Sequence, residues 1–165
     1  MTQAHGAVEL SATGRRIVIE LDAQTGVRDI WDAFTTAEGL RSWAGILCGN
    51  AESGDLRFAF LEDGLESAAG SVRIHRCRPP YKFRLTADTE QGAWDLGLDL
   101  SSRTGTRKIR FIHELAASDD PGTIGPGWEY YLQRMLVHLE GGDVDSVKWD
   151  DYYPALAAAY AKAPE

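Results

Sequence analysis

Hydrophobic and polar positions follow the helical period most clearly near the end of the chain. Between residues 125 and 140 one apolar stripe recurs every three or four positions, and it contains Trp128, Tyr131, Leu132, Met135, Leu136 and Leu139. Gly125 and Pro126 suit the cap and first turn of a helix, whereas Gly141 and Gly142 favour its end. The pattern therefore predicts a long helix that begins at Gly125 or within one turn of it. The polar side chains off the stripe are expected to face water: Glu129, Gln133, Arg134 and Glu140.

The middle of the chain instead alternates apolar and polar residues, which is the period of half-buried strands. A first strand is predicted over residues 15–23, and a later run without helical spacing predicts strands at 56–61, 67–78, 81–87, 93–100 and 107–115. Short loops rich in Gly, Pro, Asp and Ser separate them, so the pattern favours an antiparallel sheet of about six strands. One face of this sheet collects Trp94, Leu96, Leu98, Leu100, Ile109, Phe111, His113 and Leu115. That face needs a cover, which the long helix can supply.

Two short helices are predicted between the first strand and the rest of the sheet. In the first, the apolar spacing runs through Val27, Ile30, Trp31 and Phe34, after a cap at Thr25–Gly26. The second has Thr36 as its cap and is anchored by Leu40 and Trp43.

The alanine-rich end of the chain predicts a terminal helix over about residues 146–162. Its aromatic side chains either dock on the rest of the chain or form a dimer face: Trp149, Tyr152, Tyr153 and Tyr160. With 165 residues and no repeat or low-complexity tract, residues 1–165 are expected to form one domain.

Charge and composition narrow the class of partner. The formal charge of −8 and a pI near 5.0 argue against nucleic-acid binding, which relies on Lys and Arg contacts to phosphate. No signal peptide and no apolar run of membrane-spanning length is present in the sequence, so a cytoplasmic protein is expected. Cys48 and Cys77 lie far apart outside any metal-binding spacing and are expected to be reduced thiols.

Four segments carry a resemblance to a known family. "VRDIWDAFTTAEGLRSW", "RCRPPYKFRLT", "GTRKIRFIHEL" and "GWEYYLQRMLVHLEG" resemble, in the same order, blocks of the heat-shock-protein-90 ATPase activator homologues. These form a branch of the SRPBCC superfamily, which includes START and birch-pollen-allergen-like domains. The resemblance covers about residues 15–142 and departs after Trp43, where this chain has "GILCGNAESGDLRFAF".

The resemblance implies an α+β helix-grip fold, in which a curved antiparallel sheet wraps around a long C-terminal helix. It also implies a cavity for a small apolar molecule between sheet and helix. Rings supply large rigid walls for such a cavity, although the same residues could simply pack as core. The candidate ligand-binding residues are Trp31, Trp43, Phe58, Phe60, Trp94, Phe111, His113, Trp128, Tyr131 and Met135.

His113 is the one polar residue on the predicted inner face of the sheet. A buried imidazole needs a partner, and three roles stay open. It can be satisfied by a tyrosine such as Tyr131 or by backbone, it can contact a ligand, or it can carry a proton in catalysis.

Catalytic and metal-binding motifs are absent from the sequence. No nucleophile elbow, zinc-protease helix or phosphate-binding loop is found, and the four histidines lack ligand spacing, so no metal and no cofactor are expected. Asp119 and Asp120 fit the start of a helix.

The basic hairpin "VRIHRCRPPYKFR" is expected to be solvated and to protect the sheet edge, or to dock an acidic partner. Strand alternation places Arg73, His75 and Cys77 on one side. It places Arg76 and Arg78 on the other, so the basic groups are not expected to converge.

The sequence thus favours non-catalytic binding of a small hydrophobic or aromatic molecule. Two alternatives remain: a protein-interaction module that stimulates a chaperone ATPase, and an enzyme of the cyclase or hydratase kind with His113 as its acid or base. A homodimer and a chaperone contact stay open as partners.

Overall fold

Strands of this chain pair into one antiparallel sheet, and the computed structural model describes residues 2–62 and 64–164. In this part of the chain the elements are β1 (Gly6–Ser11), β2 (Gly14–Ala23), α1 (Val27–Thr35), α2 (Ala37–Trp43), β3 (Gly45–Cys48), β4 (Arg57–Glu62), β5 (Leu65–Glu66), β6 (Gly70–Arg78), β7 (Lys82–Thr89), β8 (Gly92–Arg103), β9 (Thr106–Leu115) and α3 (Pro121–Leu139). Two short 3₁₀ helices, Val144–Ser146 and Trp149–Asp151, then lead to α4 (Ala157–Ala161).

The sheet and α3 enclose the core. The strand order is β1-β2-β9-β8-β7-β6-β4-β3, with β5 paired to β4. Across β8 and β9, Leu98 lies opposite Phe111 and Leu100 opposite Ile109, which confirms the predicted apolar face. Leu132 of α3 is almost fully buried against this face. The helix-grip architecture expected from the resemblance is therefore confirmed.

Both short helices begin where the sequence predicts. Gly26 is the cap residue of α1, and the hydroxyl of Thr36 caps α2 by accepting a hydrogen bond from the amide of Gly39 at 2.9 Å. Trp43 anchors α2, because its buried indole N–H donates to the carbonyl of Ala33 at 2.8 Å.

The start of the long helix differs from the prediction. α3 begins at Pro121, with Asp120 as its cap, and the Asp120 carboxylate accepts from the amide of Gly122 at 3.0 Å. Pro126 therefore lies inside the helix, although the sequence places it at the first turn. Pro121 and Pro126 could each mark the first turn of a helix. The helix starts at Pro121 because the carboxylate of Asp120 caps it there. The predicted end is confirmed, since Gly141 has a positive φ of 79° just beyond the helix.

The sheet is larger than the expected six strands, because nine strands are present among the described residues. β1, β3 and β5 fall in segments that the sequence assigns to the N-terminal stretch, a loop and a turn. They are short, and β1 and β5 expose Leu10 and Leu65, so they carry little alternating pattern. They pair because β2 and β4 offer them backbone hydrogen bonds.

The predicted terminal helix over residues 146–162 is wrong for most of its length. Its regular α-helical part is only Ala157–Ala161. Pro154 explains the interruption, because proline removes a backbone donor and disfavours the helical conformation of Tyr153 before it.

Two polar residues of α3 that were predicted to face water are in fact covered. The Glu129 side chain is only 2% exposed, and its carboxylate accepts from the amides of His5 and Gly6 and from the Tyr160 hydroxyl. Arg134 donates from Nε to the carbonyl of Trp43 and from Nη1 to the carbonyl of Val144. The N-terminal segment and α4 cover Glu129, and the end of α2 and the segment after α3 cover Arg134. None of these is visible in the helical pattern of α3 itself.

A β-bulge between residues 74 and 76 changes the faces of the basic hairpin. Arg73 pairs with Thr86, and Arg76 pairs with Arg84, so these cross-strand pairs lie on one face of the sheet. The prediction that alternation separates Arg73 from Arg76 is therefore wrong. The basic side chains therefore share the outer face of the sheet, which points away from α3.

Candidate functional site

A cavity of about 640 Å³ lies between α3 and the inner face of the sheet. Its walls are dominated by aromatic rings, and we call it the aromatic cavity. The rings that line it are Phe34, Trp43, Phe58, Phe60, Phe83, Trp94, Phe111, Trp128, Tyr130, Tyr131 and Trp149. Aliphatic side chains complete the lining, among them Leu40, Leu47, Val72, Leu85, Leu96, Leu98 and Ile124.

Phe60 of β4 lies at the centre of the ring cluster. Its ring centroid is 5.3 Å from that of Tyr131 and 6.0 Å from that of Trp128, both on α3. On the strands, it is 5.0 Å from Phe58 and 6.4 Å from Trp94, in edge-on contacts. Each ring in these contacts is held by its neighbours, so the rings of the cavity wall have little freedom to move.

Seven of the ten candidate residues line this cavity, namely Trp43, Phe58, Phe60, Trp94, Phe111, Trp128 and Tyr131. Trp31, His113 and Met135 are not in the lining. Trp31 packs on Phe83 with ring centroids 5.6 Å apart, and Met135 is fully buried in the core. Whether the lining residues contact a ligand stays a prediction.

His113 is fully buried behind the cavity wall. The indole N–H of Trp128 donates to Nδ1 of His113 at 2.9 Å. Trp128 is therefore the hydrogen-bond partner of His113, a role for which the sequence suggested a tyrosine such as Tyr131 or backbone. Burial lowers the pKa of His113 to about 4, which keeps the imidazole neutral near pH 7. Because Nδ1 accepts, the neutral ring carries its proton on Nε2, and this atom has no partner in the described part of the chain.

Trp94 presents a second unsatisfied donor. Its Nε1 atom is buried and lacks a hydrogen-bond partner among residues 2–62 and 64–164, while its ring lines the cavity. A buried donor without an acceptor costs about 1–3 kcal/mol, which an acceptor atom on a bound molecule or a water can offset.

The mouth of the cavity is polar. The exposed residues in its lining are Glu62, Ser67, Ala68, Asp88, Glu90, Gln91, Thr123 and Trp149. They come from the end of β4, the link between β5 and β6, the end of β7 and the β7–β8 turn, and the first turn of α3, with Trp149 on the segment that follows α3. The interior is thus apolar and the opening is hydrophilic, which is the usual anatomy of a small-molecule site.

Sequence reasoning missed several wall residues. Phe83 and Leu85 alternate along β7 in the two-residue period, so the strand pattern already contained the signal for them. Tyr130 lies beside the predicted stripe of α3, and Trp149 belongs to a segment that was expected to be helical. No pattern in the sequence links Trp149 to the sheet.

Other kinds of site find little support in the described residues. No group of three His, Cys, Asp or Glu side chains there could hold a metal ion. Cys48 and Cys77 are free and exposed. None of the helices described is long and apolar enough to cross a bilayer.

A sheet that wraps a long helix, with a cavity between the two, defines a protein of the helix-grip class. The sequence profile of the family described as "Activator of Hsp90 ATPase homolog 1-like protein" matches residues 24–140. The chain belongs to this family. A comparison with curated proteins gave no match.

Solved structures share this fold. CalU16 from Micromonospora echinospora superposes with a TM-score of 0.73 at 20% identity, over 98% of this chain and 93% of that one. The Aha1 dimer from Colwellia psychrerythraea gives 0.61 at 17% identity, over 78% and 98%. DynU16, from the dynemicin biosynthetic locus, gives 0.66 at 14% identity, over 78% of this chain and 49% of that one. At these identities the likeness concerns the fold alone.

Proposed function

We propose that this protein binds a small hydrophobic or aromatic molecule in the aromatic cavity without transforming it. The observation that carries the proposal is a cavity of about 640 Å³ whose walls are mostly aromatic and aliphatic side chains. Cavities of about 300–1,000 Å³ with apolar walls and a few polar groups are typical of small-molecule sites. Folded chains normally pack sheet and helix together densely, so an apolar cleft this large between the sheet and α3 favours a binding role.

Non-catalytic binding is the simpler role for this arrangement. His113 was the only candidate for an acid or base, and it lies outside the lining with Nδ1 engaged by Trp128. A pKa of about 4 also leaves it a poor proton donor near neutral pH. The proposal therefore gives His113 a structural role.

The test is a ligand screen on the full chain. Lipids, polyketides and aromatic acids and amines are added in turn, and melting temperature and native mass spectra are recorded. A ligand that binds only the folded state raises the melting temperature through linkage. We expect at least one class of apolar compound to do so; a panel without any stabilising compound would count against the proposal.

A pair of alanines on the β7–β8 hairpin provides a matched control. Ala87 lines the cavity, whereas Ala93 is exposed on the neighbouring strand outside the lining. Ala87→Trp should fill the cavity and remove the stabilisation by ligand, and Ala93→Trp should leave it intact. Equal loss in both variants would show that binding occurs elsewhere.

The family match favours a second candidate function, the stimulation of a chaperone ATPase, because the family is described by that activity. The measurement is the ATPase rate of an Hsp90-type chaperone with and without this protein. A rate that rises with added protein supports the second function, and an unchanged rate removes it.

Self-association is a further proposal about partners. Trp149 and Tyr153 stack with centroids 5.7 Å apart and are 41% and 37% exposed, which leaves an apolar surface for a second copy. Sedimentation equilibrium on the full chain tests it. A dimer that Trp149→Ser dissolves would support this face, and a monomer at all concentrations would exclude it.

A further inference from the structure

All charged residues in the lining of the aromatic cavity carry the same sign. Among the described residues they are Glu62, Asp88 and Glu90, and no Lys, Arg or His belongs to the lining. Each of the three is solvent-exposed, so none lies among the rings. Glu62 shares the inner face of β4 with Phe60, and Glu90 lies in the β7–β8 turn, so these two stand at the mouth. The Asp88 carboxylate lies on the outer face of the sheet, where it pairs with Arg73. The cavity thus combines an aromatic interior with an acidic opening.

Two exposed arginines lie near this opening, and neither pairs with Glu62 or Glu90. Arg57 donates to the carbonyl of Ala69, between the lining residues Ala68 and Gly70. Asp88 has Arg73 at 3.4 Å, but both side chains are about half exposed, and such pairs contribute weakly. Glu62 and Glu90 form no ion pair within residues 2–62 and 64–164. The chain as a whole carries a formal charge of −8. A cleft with apolar walls concentrates such a field at its mouth, where it attracts cations and repels anions.

The interior supports the same preference. The rings of Trp94, Trp128 and Tyr131 surround Phe60 in tilted or edge-on contacts, and an aromatic ring attracts a cation that lies over its face. A positive group near the mouth would therefore find carboxylates on one side and aromatic rings on the other. A carboxylate on the ligand would meet like charges at the mouth.

We infer that the cavity selects an amphipathic cation, a molecule with an apolar or aromatic body and a protonated amine that lies beside Glu62 and Glu90. This inference rests on the function proposed above. The ring-lined cavity constitutes the site, and the carboxylates of Glu62 and Glu90 decide the charge of its ligand. Neutral molecules of the same shape bind less tightly, and carboxylic acids least.

Three probes of closely similar shape test the charge preference. Pyrenemethylamine, pyrenemethanol and pyrenecarboxylic acid are titrated into the full chain near neutral pH, and binding is followed by pyrene fluorescence. We expect the amine to bind about fivefold more tightly than the alcohol, because each exposed carboxylate at the mouth adds a modest attraction to the protonated amine. The acid should bind more weakly than the alcohol. Raising the salt from about 0.01 to about 1 M shortens the Debye length from about 30 to about 3 Å and should bring the three affinities together.

Substitution of the carboxylates at the mouth tests whether these residues cause the preference for the amine. In the variant with Glu62→Gln and Glu90→Gln, the amine should lose its advantage while the alcohol binds as before. Retained binding of the alcohol also shows that the variant is folded. The matched control removes two exposed glutamate charges away from the cavity, through Glu38→Gln and Glu140→Gln, and should keep the preference.

The outcomes separate this inference from the proposed function. If the alcohol binds in the cavity as tightly as the amine, or the acid binds most tightly, the inference is overturned and the binding function stands. If the control variant loses the preference as fully as the variant at the mouth, the net charge of the protein causes the preference. This result also overturns the inference. If none of the three probes binds, both proposals fail.

Discussion

The indole N–H of Trp128 donates to Nδ1 of His113 across 2.9 Å, and this bond joins α3 to β9 behind the aromatic cavity. Both residues are buried, so neither partner has water as an alternative. The Trp128 ring also lies 4.5 Å from Phe111, between centroids, and forms part of the cavity wall. The position of the wall therefore depends on a hydrogen bond made outside the cavity.

The burial of neutral His113 makes stability depend on pH. Its pKa is about 4 in the folded chain against 6.5 as the ordinary value, so between these values the unfolded chain binds more protons. The contribution of neutral His113 to the free energy of unfolding is thus fully present above about pH 6.5, and it decreases as the pH falls toward 4. Between about pH 7.5 and about pH 5 this group should account for a loss of about 2 kcal/mol, measurable by urea unfolding.

His113→Gln is the control for this pH dependence. Its side-chain oxygen can still accept from Trp128, but it does not titrate. The variant should therefore lose less stability over the same pH range than the parent chain. Equal losses in both proteins would show that other groups cause the pH dependence.

Two glycines of α3 should respond in opposite directions to the same change. A Cβ at Gly125 would lie 2.2 Å from the Tyr160 ring, whereas a Cβ at Gly127 would meet nothing within 4 Å. Gly125→Ala should cost about 1–3 kcal/mol because ring and helix must separate. Gly127→Ala should raise stability by up to about 1 kcal/mol, since alanine favours the helix. Urea unfolding of both variants checks this, and similar changes would contradict the close packing at Gly125.

The hydroxyl of Tyr160 should stabilise the fold through Glu129. It donates to a carboxylate that is 2% exposed, and burial raises the pKa of this phenol, so it remains a donor at ordinary pH. Tyr160→Phe should lower the free energy of unfolding by about 1–3 kcal/mol. Tyr153→Phe, at an exposed site, should change it by less than about 0.5 kcal/mol. Equal effects would show that the hydroxyl bond contributes nothing.

Periodicity was sufficient to predict the sheet face and the helix that covers it. The alternation of Leu98, Leu100, Ile109 and Phe111 places these residues on one side of the sheet, because the register between β8 and β9 is continuous. Most rings of the cavity could be predicted for the same reason, since they follow strand or helix periods.

The remainder depends on contacts between distant segments. Glu129 reads as a solvent-facing residue of α3 because the pattern of the helix does not contain His5 or Tyr160, which cover it. The bulge beside Arg76 moves the residues of β6 that follow it to the other face of the sheet. No glycine or proline at the bulge indicates it in the sequence. The volume of the cavity follows from how closely rings on separate elements approach, and periodicity carries no distances.

The most direct test of the binding function is an NMR structure of the complex with pyrenemethanol. Isotope-filtered NOEs between unlabelled probe and labelled protein report which side chains lie beside the bound molecule. We predict NOEs to Phe60, Trp94 and Tyr131, the rings that meet inside the cavity. NOEs confined to exposed side chains such as Leu10 and Tyr81, or no binding at all, would contradict the account.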